Sequence, residues 1–279
     1  MGFAGGFRIG GKTISNLRYA DDIVLLATTP EELQELVNRV ESAAREYDMS
    51  INARKTKVMT NTDDALEIEV SAGRLEQVNS FVYLGSRVTK DADCASEVKS
   101  RLAMGMAVMI KLTKLWKNKS ISNSTKLRLM KTLAWPVATY GCEAWTLKKE
   151  EERRIQAFEN KCIRKLLRIP WTKLMTNDRV YSLAGARKDL LAHVRTRKLR
   201  YFGHTMRNPI DNIEGSLMTG LVEGNRGRGR PRISWIDNIL KWTGLSGTGL
   251  MSATRNRRHW AALVHSCSQP SRSDDGELT

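Results

Sequence analysis

Cysteine is scarce in this chain, with four residues in 279, and no two of them stand at the spacing of a CxxC pair. The four are Cys94, Cys142, Cys162 and Cys267. A zinc knuckle or ribbon needs paired cysteines and therefore has no support here. So few cysteines also argue against the disulfide framework of a small secreted protein. We expect a protein of a reducing compartment, nuclear or cytoplasmic and not secreted.

Long apolar runs are lacking as well. No stretch approaches the roughly 18 to 20 apolar residues that a membrane-spanning helix requires, and the first residues lack the charged and apolar regions of a signal peptide. The chain does contain 41% hydrophobic and 27% charged residues, which is ordinary for a globular protein and too apolar for a disordered one. We therefore expect a globular protein with no membrane partner.

Positive charge is present in surplus, with a net charge of +16 at pH 7. The surplus lies in residues 101–210, which hold 25 Lys and Arg against 7 Asp and Glu, whereas residues 1–100 hold 12 against 16. A balance of this kind predicts a polyanionic partner, most often nucleic acid. A basic protein at a membrane surface is the alternative. It is disfavoured because the cationic segments lack a strong apolar face for insertion.

Residues 1–88 show the mixed pattern of an α+β region. Gly10 and Gly11 predict a hairpin turn, because glycine tolerates the positive φ of a tight turn. Residues 23–27 have the length and apolarity of a buried strand. Thr29 followed by Pro30 predicts the start of a helix. Further strands are predicted at residues 51–52, 57–59, 68–70, 75–78 and 81–84.

From residue 92 onwards the pattern is helical almost throughout. Pro136 should kink or interrupt the second of the helices. Trp116, Trp135, Trp145 and Trp171 are interpreted as packing anchors of these helices. Residues 208–234 read as a loop and the last twelve residues as a disordered tail. Helices are predicted at residues 93–117, 123–146, 149–168, 177–184, 189–207, 234–243 and 250–265.

The sharpest local feature is the sequence Tyr19-Ala20-Asp21-Asp22 between two apolar segments. Nucleotidyl transfer needs two divalent cations about 3.5–4 Å apart, and hard carboxylate oxygens suit Mg²⁺. Adjacent carboxylates on a tight hairpin would supply such ligands from a rigid support. The alternative is a solvated turn, since Asp is a common turn residue.

The wider context resembles the reverse transcriptase of a non-LTR (LINE-type) retrotransposon. Residues 17–27, LRYADDIVLLA, resemble its catalytic hairpin, motif C. Residues 49–59, MSINARKTKVM, resemble motif D, and residues 81–86, FVYLGS, resemble motif E, the primer grip. The three occur in the family's order and separations, and the resemblance extends over about residues 6–265.

This resemblance implies a partial palm at residues 1–88, a basic helical thumb and connection at 89–207, and a basic Gly/Arg loop with weak helices at 208–279. It implies that Asp21 and Asp22 are catalytic ligands of Mg²⁺. It also implies that Lys55 is catalytic, since it would lie near the triphosphate and help to protonate the pyrophosphate leaving group. Lys55 as a solvated surface lysine is the alternative. The implied partners are an RNA template and a DNA primer or target; the oligomeric state stays open. The implied primer-grip residues are Phe81, Tyr83, Leu84 and Gly85, for which plain strand packing is the alternative.

In this family a third carboxylate comes from motif A, which precedes motif C, and no residue of this sequence matches it. We therefore expect no RNA-directed DNA polymerase activity from this chain alone.

Two basic segments are candidates for nucleic-acid contact of the salt-sensitive, sequence-independent kind. Lys111, Lys114, Lys117 and Lys119 fall partly on one side of a predicted helix. A solvated helix face is the alternative for these lysines. The second segment, residues 224–232, alternates Gly and Arg, and its alternative is a flexible linker. Its candidate residues are Arg226, Arg228, Arg230 and Arg232. A non-catalytic nucleic-acid-binding protein derived from such an element is the rival to the polymerase reading.

Overall fold

The computed structural model describes residues 5–208, 212–220 and 233–267 of the chain. The chain divides into two compact units, each with its own internal contacts. The front unit comprises Met1–Asp93 with Asn208–Pro231, and the helical unit comprises Cys94–Arg207 with Arg232–Thr279. The Gly/Arg segment with Arg226, Arg228, Arg230 and Arg232 lies outside the described residues, as do the last twelve residues.

The front unit contains short strands and two described helices. The strands pair only two by two within the described residues: β1 with β2, β3 with β4, β5 with β8, β6 with β7 and β9 with β10. The β5–β8 pair is parallel and the others are antiparallel. The elements are β1 (Phe7–Ile9), β2 (Lys12–Ile14), β3 (Asn16–Tyr19), β4 (Asp22–Leu25), α1 (Pro30–Arg45), β5 (Lys57–Val58), β6 (Glu69–Val70), β7 (Gly73–Arg74), β8 (Glu76–Gln77), β9 (Ser80–Tyr83), β10 (Ser86–Thr89) and α9 (Ile213–Met218).

Two local predictions for this unit are confirmed. Gly10 and Gly11 adopt positive φ values of 56° and 79° and join β1 to β2. Thr29 caps α1, since its hydroxyl accepts the N–H of Glu32 at 3.2 Å and Pro30 takes the first helical position. The strand predicted at residues 51–52 is wrong, because these residues have no regular secondary structure and lead directly into a turn at residues 53–55.

The core of the front unit is small. Its buried members come from α1, β5, β6 and the segments beside them, and part of β4 packs against them. They are Val37, Val58, Ile68, Val70 and Leu75. A core of this size leaves several apolar side chains of the β3–β4 and β9–β10 hairpins exposed. The unit therefore buries little apolar area to stabilise its hairpins.

The described secondary structure of the helical unit is helical throughout. The helices are α2 (Ala95–Lys111), α3 (Thr113–Lys117), α4 (Asn123–Leu129), α5 (Trp135–Ala138), α6 (Lys149–Leu166), α7 (Asn177–Ala184), α8 (Leu190–Met206), α10 (Trp235–Thr243), α11 (Gly247–Arg255) and α12 (Arg257–Cys267). A π-helical turn at Met130–Ala134 separates α4 from α5, and a 3₁₀ turn follows at Cys142–Ala144. The predicted helix at 123–146 is therefore interrupted around Pro136, as its missing N–H requires.

A large apolar core holds the helical unit together. One face of α6 is apolar and buried, with Ile155, Phe158 and Cys162 at its centre. Trp116, Trp135 and Trp145 are buried packing anchors, as predicted. Trp171 is not an anchor, because 84% of its side chain is exposed in the turn after α6.

The coarse fold prediction is confirmed, since short sheets come first and helices dominate the rest. The finer helix boundaries differ from the prediction. The helix at 93–117 breaks at Leu112, and the one at 250–265 is two helices separated at Asn256. In the described ranges, no helix combines the length and the apolarity needed to cross a membrane.

Candidate functional site

The predicted catalytic hairpin is formed by β3 and β4. Tyr19 pairs with Asp22 across the two strands, and Ala20 and Asp21 make the connecting two-residue turn. Ala20 has a φ of 52°, in the left-handed region that favours glycine. A backbone outlier of this kind costs about 1–3 kcal/mol and often marks a functional segment. Because the turn lies between Tyr19 and Asp22, the Asp pair is at the tip of the hairpin.

Both carboxylates are exposed to solvent. Asp21 lies in the turn and Asp22 begins β4. Beside them Leu17, Tyr19 and Ile23 are exposed to 48%, 64% and 45%. A strand with apolar side chains on an uncovered face is typical of a surface that another segment or molecule covers.

The ligand set for divalent cations is incomplete. Two cations about 3.5–4 Å apart need several carboxylates that converge on them. In the described parts of the chain, no three His, Cys, Asp or Glu side chains form a group that could hold a metal ion. Asp21 and Asp22 therefore do not fit a complete two-metal site by themselves.

Lys55 lies on a turn that Asn52 organises. The side-chain oxygen of Asn52 accepts a hydrogen bond from the N–H of Lys55 at 3.2 Å. The backbone carbonyl of Asn52 accepts a hydrogen bond from the N–H of Thr56 at 2.9 Å. Asparagine is suited to such turns because its side chain mimics a backbone acceptor. The turn leaves the Lys55 side chain exposed just before β5. The motif D sequence thus presents a lysine to solvent from a defined turn.

The predicted primer grip is the β9–β10 hairpin. Leu84 and Gly85 connect the strands with positive φ values of 47° and 79°. Phe81 and Leu84 are each exposed to 39%, whereas Tyr83 is half-buried. The hairpin therefore carries apolar surface that remains accessible.

The structure joins two of these three motifs through the small core of the front unit. Leu25 of β4 and Val58 of β5 both belong to that cluster, so the segments of motifs C and D pack on common side chains. The hairpin of motif E pairs only with itself in the described residues. Among the described residues, the strands of the three motifs do not belong to one common hydrogen-bonded sheet.

The lysines predicted to contact nucleic acid lie around α3. Lys111, Lys114, Lys117 and Lys119 are all exposed. Lys117, at the end of α3, lines a cavity of about 390 Å³ that the sequence did not predict. We call it the Lys117 cleft; Arg164, Lys165, Arg168 and Trp116 also line it. No Asp or Glu is among the described residues of its wall.

Arg168 holds an unusual backbone conformation in this cleft. It follows the last turn of α6. The N–H of Arg168 donates to the carbonyl of Lys165 at 3.1 Å, and the N–H of Ile169 donates to the carbonyl of Arg164 at 2.9 Å. This pair of bonds is the Schellman motif, whose left-handed position is usually glycine. Here Arg168 occupies that position with a φ of 59°. The composition of α6 could have suggested its basic end, but only the fold brings it beside Lys117.

Two other basic residues of the cleft have different surroundings. The Arg164 guanidinium bonds to the carbonyl of Met175 and to the Asn177 side chain, where the Nη2 distance is 3.1 Å. Arg164 therefore anchors the loop before α7. Lys165 is half-buried beside it. Lys117 and Arg168, both exposed, are the cations best placed to meet a ligand.

Comparison with known proteins agrees with the sequence motifs. The profile of the reverse transcriptase (RNA-dependent DNA polymerase) family matches residues 7–88. The chain is also similar to a transposon-derived protein of Caenorhabditis elegans, with 28% identity over 276 residues that cover 92% of this chain and 97% of the relative. These findings confirm the resemblance to a retrotransposon reverse transcriptase. Residues 7–88 are similar to a reverse-transcriptase segment, and the similarity to the relative extends through the helical unit.

Proposed function

We propose that this chain is the primer-handling and duplex-gripping part of an RNA-directed DNA polymerase of non-LTR (LINE-type) retrotransposon origin. It holds an RNA template and a DNA primer, and it does not polymerise by itself. The observation that carries the proposal is the Lys117 cleft, an acid-free basic cavity in a chain whose residues 7–88 match the reverse transcriptase family. Phosphate groups satisfy such a cavity by charge-assisted hydrogen bonds.

The front unit supplies the polymerase-specific parts of the proposal. Asp21 and Asp22 contribute two carboxylates to the Mg²⁺ site of the family, and a third must come from outside the described residues. Lys55, presented by the Asn52 turn, meets the triphosphate. The primer-grip residues Phe81, Tyr83, Leu84 and Gly85 form a hairpin that contacts the primer end.

The helical unit supplies sequence-independent affinity. Cations that neutralise backbone phosphates release condensed counterions, so the affinity falls steeply with salt. Lys117 and Arg168 occupy the cleft, and Lys111, Lys114 and Lys119 extend the basic surface along the chain. The backbone strain at Arg168 supports a role for its side chain, because glycine would fit that position without strain.

Binding of a labelled RNA–DNA duplex to the full chain, followed by fluorescence anisotropy across a salt series, tests the proposal. The double substitution Lys117→Gln with Arg168→Gln removes two cleft charges. The matched control, Arg153→Gln with Lys161→Gln, removes two exposed charges of α6 that do not line the cleft. We expect the cleft variant to bind roughly tenfold more weakly, with the control close to the unsubstituted chain. Equal affinities of all three proteins would contradict the proposed grip.

Primer extension with Mg²⁺ and nucleotides tests the statement about catalysis. We expect no extension by the purified chain. Extension that Asp21→Ala abolishes would show that a complete site forms and that the chain polymerises alone.

The second candidate function is a non-catalytic nucleic-acid-binding protein, which the exposed basic surface alone would favour. The primer grip separates the two candidates. The polymerase-derived function predicts tighter binding to a duplex with a recessed DNA 3′ end than to a blunt duplex, and Phe81→Ala should remove that preference. The rival predicts equal binding to the two duplexes, with and without Mg²⁺.

A further inference from the structure

A second basic cavity, also of about 390 Å³, lies in the helical unit between α8 and α12. We call it the α8–α12 pocket. Three arginines and a histidine line it over an apolar floor, and none of its described lining residues is Asp or Glu. The residues that matter are Arg200, Arg207, Arg257, His265, Trp260 and Val264.

Arg207, just after α8, has an incompletely satisfied guanidinium. Its Nη1 donates to the carbonyl of Thr254 at 3.2 Å, but its Nε is buried and has no hydrogen-bond partner in the described part of the chain. Burial, and then the neighbouring Arg257, lower the pKa of Arg207. A buried donor without an acceptor is unfavourable, and so is the approach of two guanidinium groups. An anion in the pocket would relieve both conditions.

The positive charge of the pocket comes from side chains. Although α12 begins at Arg257, its first turn is already capped, because the Asn256 side chain accepts the N–H groups of Arg258 and His259 at 3.1 and 3.0 Å. The backbone N–H groups at the start of α12 therefore contribute little to anion binding. The guanidinium groups of Arg200 and Arg257, both exposed, have the planar fork geometry that suits phosphate.

The floor of the pocket is rigid and apolar. The indole N–H of Trp260 donates to the carbonyl of Leu199 at 3.0 Å, and its ring lies 5.8 Å from that of Phe202. Trp260 is 3% exposed, so its ring face is not available to stack on a base. The pocket therefore suits a phosphate group better than a nucleobase.

We propose that the α8–α12 pocket binds a backbone phosphate of a polynucleotide, as a contact distinct from the Lys117 cleft. The inference rests on the proposed function, since it assigns the ligand by the same polyanionic chemistry. A polynucleotide is favoured over a small phosphate compound for two reasons. Arg200 and Arg257 at the pocket are exposed, and residues 101–210 hold 25 Lys and Arg against 7 Asp and Glu, a surplus that a single small anion does not balance.

The test compares full-length variants that differ by matched charges. Arg200→Gln with Arg257→Gln empties the pocket of its exposed charges, whereas Arg255→Gln with Arg258→Gln removes two exposed arginines that do not line it. The probe is a fluorescein-labelled RNA–DNA duplex, titrated across a salt series. We expect the pocket variant to bind roughly tenfold more weakly than the control and its salt slope to fall by about 1 to 2.

A second measurement needs no variant. Phenylglyoxal modification with mass spectrometry should show Arg200 and Arg257 protected by the duplex and Arg258 unprotected. Equal binding of the two variants, or equal modification with and without duplex, would overturn the pocket while leaving the Lys117 cleft and the proposed function in place. Failure of the unsubstituted chain to bind the duplex would instead overturn the proposed function.

Inorganic phosphate distinguishes the two sources of the ligand group. If the pocket serves a polynucleotide, phosphate at moderate concentration should leave the thermal unfolding of the chain unchanged and compete weakly with the duplex. Strong thermal stabilisation by phosphate, lost in Arg200→Gln with Arg257→Gln but not in the control, would overturn the polynucleotide assignment in favour of a small phosphate compound.

Discussion

The amine of Lys198 donates a hydrogen bond to Oδ1 of Asn238 at 3.1 Å, which joins α8 to α10 inside the helical unit. Lys198 is fully buried, also bonds to the carbonyl of Trp145, and lies 4.6 Å from the ring centre of Trp235. Asn238 in turn bonds to the backbone N–H and carbonyl of Leu147, both at 2.8 Å. These bonds fix α10 against a segment about ninety positions earlier in the chain.

This arrangement predicts a rise in stability with pH above neutrality. Burial lowers the pKa of Lys198 from 10.5 to about 7, while Cys94 and Cys142 act weakly in the opposite direction. Between pH 7 and 10.5 the unfolded chain binds a proton at this lysine that the folded chain does not. Stability therefore increases with pH in that window, with a slope of at most about 1.4 kcal/mol per pH unit.

Lys198→Met should remove this slope, as measured by denaturant unfolding at several pH values. Lys161→Met, an exposed position on α6, should retain it. Identical slopes for the two variants would show that Lys198 keeps an ordinary pKa in the folded chain.

Glu159 should have the opposite effect below neutrality, where the stability of the folded chain is expected to fall as the pH rises. Its Oε1 accepts the N–H groups of Asp189 and Leu190 at 3.0 and 3.1 Å, so a buried carboxyl of α6 caps α8. Burial raises the pKa of Glu159 from 4.5 to about 7, although these hydrogen bonds lower it. The stability from this group is fully present below pH 4.5 and is lost as the pH rises through 7, on the order of 3 kcal/mol in total.

Glu159→Gln keeps an acceptor for α8 without the charge, so its stability relative to the unsubstituted chain should rise between pH 5 and pH 8. Glu150→Gln, on the exposed side of α6, is the control and should show no such change. A constant difference across this pH range would rule out the titration of Glu159.

Arg168 offers a test in which stability and binding change in opposite directions. Arg168→Gly should stabilise the helical unit by about 1 kcal/mol, because glycine adopts a φ of 59° without strain. The same change should weaken duplex binding. Arg168→Ala should weaken binding equally without the gain in stability, since its Cβ retains the strain. Denaturant unfolding of both variants measures the change in stability, and fluorescence anisotropy measures their affinity for the duplex. An unchanged affinity of both variants would show that Arg168 does not contact the duplex.

The sequence predicts local features of this fold well where one short segment decides them. The Gly10-Gly11 turn, the Thr29 cap and the interruption near Pro136 each depend on the conformational limits of one or two residues. Trp171 was predicted wrongly as an anchor, because tryptophan content alone does not say whether neighbouring helices cover the side chain.

In the candidate site too, the sequence predicts the features that lie within one short segment and not those that depend on packing between segments. Asp21, Asp22, Lys55 and the primer grip were found as contiguous motifs. The Lys117 cleft was not, since Lys117 and Arg168 are about fifty residues apart and meet only through the packing of α3 near α6. A buried ionisable side chain such as Lys198 is similarly not recognisable from the sequence, where a lysine on an amphipathic helix is expected to be solvated.

Gly203 provides the last prediction, because it determines where the floor of the α8–α12 pocket lies. A Cβ at this position would lie 2.1 Å from Nε1 of Trp260, so α8 and α12 can approach only with glycine there. Gly203→Ala should push Trp260 outward, break its bond to Leu199 and cost about 3 kcal/mol of unfolding free energy. Gly247→Ala is the control, since a Cβ there meets nothing within 4 Å. Tryptophan fluorescence and denaturant unfolding would report both effects. If Gly203→Ala matched the control in stability yet bound the duplex normally, the close packing of these helices would not be what shapes the pocket.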